Sequence, residues 1–130
     1  MTLIASSAAS VRSARDAYRR DAVQTATPAQ RLVMLFDRLV LDLRRAQEAL
    51  EGGVLRAAPH ISHAQEILVE LMSSLRTDAW DGAEQLLGLY AWANARLTDV
   101  RLSGDAAGIA PVIELVEPLR DAWRDAAAHV

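Results

Sequence analysis

Residues 27–51, TPAQRLVMLFDRLVLDLRRAQEALE, constrain the fold more than any other stretch of the chain. Thr27, Pro28 and Gln30 mark a helix start, with Thr27 as cap, Pro28 at the first helical position and a T-x-x-Q capping box. Behind that start, Leu32, Leu35, Phe36, Leu39, Leu43, Ala46 and Leu50 recur at three- and four-residue spacing and predict one buried stripe. Met34 and Leu41 sit a heptad apart on the opposite side, among Asp37, Arg45 and Glu48. A helix with apolar side chains on two faces either lies deep inside a protein or reserves one face for a partner.

The same periodicity recurs three more times. A second helix is expected from about Pro59 to Arg76, with Ile61, Ala64, Leu68, Leu71, Met72 and Leu75 inward. A third is expected to open on an Asp81/Glu84 capping box and run to about Leu102, with Leu86, Leu89, Tyr90, Ala93, Leu97 and Val100 inward. A fourth is expected from about Pro111 to Ala128. Its inner face would carry Val112, Leu115, Val116, Leu119, Ala122, Trp123 and Ala126 and its outer face Glu114, Glu117, Asp121 and Asp125, with a kink or irregular ladder at Pro118. Gly52-Gly53 and Ser103-Gly104-Asp105 serve as stops. No strand-period alternation is present, so the expected fold class is all-α, an antiparallel up-down four-helix bundle with a short N-terminal helical segment at about residues 14–24. Residues 1–13, rich in Ser and Ala, read as a flexible N-terminal tail, and 14–130 as the bundle domain.

Chemistry is thinly represented. There is no cysteine, hence no disulfide, thiolate site or cysteine nucleophile. No phosphate-cradling loop or nucleophile elbow occurs. The nearest approach to a metal set is His60-x-x-His63-x-x-Glu66 with Glu70, on the outer side of its helix. It lacks the E-x-x-H pairs of di-iron bundles. The reading is therefore no catalytic residues, no metal and no cofactor. The net charge of −3, with every basic residue an arginine, argues against nucleic acid as partner. No segment is long and apolar enough for stable membrane insertion, and no secretory signal is evident, so the expected location is the cytoplasm.

The outer faces say more. On the third helix Gly88, Ala91, Trp92 and Ala95 all fall away from the core stripe, where small residues would let another helix approach and Trp92 would anchor it. Helix propensity alone explains the alanines but not Gly88, because a mid-helix glycine costs about 1 kcal/mol relative to alanine. Met34 and Leu41 form a second candidate patch, and Ile67, at the margin of its own stripe, an extension of one of them.

Tyr18, the run Val23-Gln24-Thr25-Ala26-Thr27-Pro28, and Leu32 followed by Met34-Leu35-Phe36-Asp37 resemble the opening of the flagellar secretion chaperones that bind flagellin, the FliS family. Leu115 to Trp123 is similar to that family's last helix, and Ala64 to Leu68, Leu71, Leu89-Tyr90 and Arg96-Leu97 match its middle. Phe36 replaces the family's usual tyrosine and Arg38 a common small residue. The resemblance implies a cytosolic chaperone that holds the C-terminal segment of flagellin, prevents premature polymerisation and presents the subunit to the flagellar export gate. It also implies that Tyr18 and Val23 form an N-terminal cap over the client groove. The empty protein is expected to be a monomer or weak homodimer. Two other readings stay open: a self-associating structural bundle without a flagellin client, and a metal-dependent bundle enzyme.

Overall fold

A computed structural model describes residues 27–76, 78 and 81–129. Four helices account for most of them: α1 (Pro28–Ala49), α2 (Val54–Ser74), α3 (Ala83–Ser103) and α4 (Ala110–Ala128). Among the described residues there is no strand. The helices pack as an antiparallel bundle. Asp37 and Arg44 of α1 meet Arg124 and Glu117 of α4, so those two chains run in opposite directions. Asp42 of α1 meets His63 of α2, and the short connections turn the chain back at each end. The expected N-terminal segment at 14–24, the tail at 1–13 and the boundary between them lie outside the described residues.

The start of α1 is as its sequence predicts. The Thr27 hydroxyl accepts from the Gln30 amide at 3.1 Å, and Gln30 Oε1 accepts from the Thr27 amide at 2.9 Å, which satisfies two otherwise orphaned donors. Its helix ends in a 3-10 turn at Leu50–Gly52, and Gly53 follows at φ 105°, a conformation that favours glycine. Gly104 ends α3 in the left-handed region at φ 73°, with its amide returned to the Val100 carbonyl at 2.7 Å. A Cβ at Gly104 would also sit 2.8 Å from Val54, so this loop presses on the start of α2.

Two predicted starts are corrected. α2 begins at Val54, not Pro59. Pro59 falls in its second turn, where the missing donor would have served Leu55. That residue is 90% exposed, so water can satisfy its carbonyl. α3 begins after Gly82 with no side-chain cap, so the Asp81/Glu84 box does not form. α4 continues through Pro118 to Ala128. Ala122 and Ala126, expected inward, are exposed, because beyond Pro118 only Leu119 and Trp123 of α4 reach the core.

α1 is the centre of the bundle. It lies along both α2 and α4, and α3 lies along α2, while α3 and α4 come close chiefly through the short turn Ala106–Gly108. Phe36, Leu39, Leu43 and Ala46 of α1 are fully enclosed, with Ile61, Ala64 and Leu68 of α2, Ala93 and Leu97 of α3, and Val112 of α4. Leu32, Leu35, Met72, Leu75, Leu89, Leu115, Leu119 and Trp123 pack at the edge of this cluster. Val40, Ala57, Ile109 and Ile113 are buried as well, beyond the predicted stripes. Phe36 stacks at a tilt on Tyr90 with ring centroids 6.4 Å apart.

Burial pushes the Tyr90 phenol from 10.0 up to about 12. The folded state therefore keeps a proton that the unfolded chain loses above pH 10, and stability contributed by the neutral phenol is lost as pH rises through that window. Urea unfolding between pH 9 and pH 11.5 should show stability falling by at most about 1.4 kcal/mol per pH unit above pH 10. Tyr90→Phe should flatten that decline.

Candidate client-binding surface

α1 is flanked on both sides by polar locks. Toward α4, Asp37 Oδ1 accepts from Arg124 at 2.6 Å and lies 3.9 Å from Arg120, and Arg44 pairs with Glu117. Toward α2, Asp42 is 1% exposed, an unusual position for a carboxylate. Its Oδ2 bonds His63 Nδ1, while Oδ1 lies 3.3 Å from Arg38 Nε without hydrogen-bond alignment. Sequence reasoning passed over Asp42, whose burial depends on His63 meeting it across the α1–α2 interface. On the far side of α2, Gln65 Nε2 donates to the Asn94 carbonyl at 3.2 Å and to Thr98 at 2.9 Å, and Arg101 donates to Gln65 at 3.2 Å, joining α2 to α3.

His63 is thus turned into the α1–α2 interface. Together with His60, Glu66 and Glu70 it does not converge on an ion: no group of three or more His, Asp or Glu among the described residues is placed to hold a metal.

Between the locks the outer face of α1 is open. Met34 is 44% exposed and Leu41 is 41% exposed. Asp37–Arg124 borders them on one side and Arg38–Asp42–His63 on the other. On α3, Gly88, Ala91 and Ala95 are exposed, and Trp92 is 40% exposed with Arg96 stacked 5.8 Å from its ring centre. A Cβ built at Gly88 meets nothing within 4 Å among the described residues, so nothing in their packing calls for glycine there.

Ile67 needs correction as an outer residue. It is 4% exposed and belongs to the core, because α2 is gripped by helices on two sides and its buried arc is wider than one stripe. Tyr18 and Val23 lie outside the described residues. The structure adds three apolar side chains that sequence reasoning missed: Leu55, Val69 and Leu102, the first and last 90% and 83% exposed. Leu55 was hidden by the late start assigned to α2, and the loop at Gly104 sets its neighbour Val54 at the same end of the bundle as Leu102.

These features define a class: an all-helical bundle with a closed interior and apolar side chains held on the outside of two helices. Comparison with known proteins gives the particular family. A family model described as flagellar protein FliS matches residues 11–130, and the chain belongs to this family of flagellar secretion chaperones, which are not enzymes. The chain is 29% identical over 111 residues to the flagellar secretion chaperone FliS of Bacillus subtilis (strain 168), covering 85% of this chain and 83% of that one. A crystal structure of a flagellar chaperone from bacteria shares the fold, with a TM-score of 0.73 at 19% identity over 89% of this chain and 98% of the other. No described helix is long and apolar enough to cross a membrane.

Gly88→Ala should raise thermal stability by about 0.5–1 kcal/mol, since the new methyl meets open space and helix propensity improves. Calorimetric melting checks this; a loss of stability would mean that position 88 is crowded.

Proposed function

We propose that this protein is a cytosolic export chaperone. It binds the C-terminal segment of flagellin along the outer faces of α1 and α3, keeps it from polymerising prematurely and delivers it to the flagellar export gate. Membership of the family supports the client class. The single observation that supports this surface is Gly88, an exposed mid-helix glycine with free space above it, beside the half-exposed Trp92. A glycine that weakens its own helix and relieves no crowding among the described residues is accounted for by a partner that needs close approach.

The energetics are consistent. Ordering a flexible client costs about 2–5 kcal/mol. At about 25 cal/mol per Å² of apolar surface, covering roughly 80–200 Å² offsets that cost. Met34 and Leu41 on α1, and Trp92 with Ala91 and Ala95 on α3, supply such area without disturbing the interior. Tyr18 and Val23 would lie over part of this surface in the empty state. No nucleotide is required, because release would be driven by export itself.

Calorimetric titration with a flagellin C-terminal peptide tests the reading. The unaltered protein should bind. Leu41→Asp and Trp92→Asp should melt cooperatively near the unaltered temperature yet bind roughly tenfold more weakly or worse. Leu89→Asp, whose side chain packs against the core, should lose the fold by burying a charge. A stable dimer indifferent to the peptide would favour the self-associating bundle instead.

A further inference from the structure

The last helix is docked in two different ways along its length. Before Pro118, Val112, Ile113 and Val116 of α4 are buried, as is Ile109 just ahead of it. After Pro118 no residue of α4 is buried, and only Leu119 and Trp123 press on the core, both partly exposed. This second half is held by those two side chains and by charge, through Arg120 and Arg124 to Asp37, with Glu117 to Arg44 at the boundary. These side chains are 19–55% exposed, so their pairing is screened by salt. α4 also leans on α1 alone among the long helices, for α3 makes little close approach to it. The change in docking coincides with Pro118, which has no amide to give the Glu114 carbonyl, so the helical ladder is interrupted at that point.

We propose that the part of α4 beyond Pro118 is a strap that swings off α1 as a unit, pivoting at Pro118, while the part before it stays anchored. Asp37, Val40 and Arg44 are three and four residues apart and share one side of α1. Releasing the strap frees Asp37 and uncovers Val40, which is 5% exposed when the strap is down. Val40, so exposed, adjoins Leu41 in the chain and adds to the apolar outer surface of α1. That use of Val40 rests on the client reading given above; the release itself does not.

Amide hydrogen exchange on the full chain, without any partner, tests the release at 0.05 M and 0.5 M NaCl. Amides of residues 121–127 should share one opening rate, about tenfold or more faster than those of 114–117, with the step falling at Pro118. The higher salt and the Asp37→Asn variant should each speed 121–127 by about two- to fivefold and leave 114–117 unchanged. Pro118→Ala, which restores the missing bond, should narrow the difference between the two sets. A smooth gradient running inward from the chain end, as ordinary fraying gives, would overturn the proposal. So would exchange of 121–127 that ignores both salt and Asp37→Asn. Loss of flagellin-peptide binding, measured separately, would bear on the client reading and not on the strap.

Discussion

The burial of one face of α1 against two helices at once is the interaction on which the rest of the structure depends. Phe36, Leu39, Leu43 and Ala46 are fully enclosed, and each neighbouring helix is positioned by what it contributes to that stripe. Because α1 lies in the middle, both its flanks are occupied, and each is fixed by charge: Asp42 with His63 and Arg38 toward α2, Asp37 and Arg44 with α4. The two locks differ in kind. Asp42 is buried, and replacing His63 alone would remove its hydrogen-bond partner and leave only Arg38 beside the carboxylate, a destabilising change. The pairs toward α4 are partly in water and contribute little each. The same helix is therefore clamped firmly on one side and loosely on the other.

With the interior complete, the apolar side chains still outside acquire meaning. Met34, Leu41 and Trp92 are each roughly two-fifths exposed, set singly among charged and small residues. Set apart on two helices, these three side chains do not form one large apolar patch, which limits self-association through them. They still leave area that an extended or helical client can cover along a long path. Arg96 over the Trp92 ring adds to this, shielding one face of the indole while its edge stays accessible.

The four helices and most of the core were legible in the sequence because each depends on local periodicity. The capping box at Thr27 is a purely local arrangement and formed as read. What was not legible depended on neighbours. Ile67 looks marginal on its own helix and becomes core only because α2 is gripped from two sides. Asp42 breaks a hydrophobic pattern unless the His63 that meets it across the interface is known. Pro59 reads as a start signal, whereas the turn at Gly53, with its positive φ, sets the true one. Met34, Leu41, Gly88 and Trp92 were visible as off-stripe residues. That no packing among the described residues requires Gly88 is a tertiary fact, invisible to local pattern.

The central claim is that the outer faces of α1 and α3 are kept apolar for a client. Amide and methyl NMR of the labelled protein, recorded while a flagellin C-terminal segment is added, tests it most directly. The account predicts that the largest shift changes cluster at Met34, Leu41, Gly88, Ala91, Trp92 and Ala95, with the enclosed Leu39, Leu43 and Leu97 little moved. Saturable binding that leaves both outer faces unperturbed, with the changes confined elsewhere on the bundle, would contradict it.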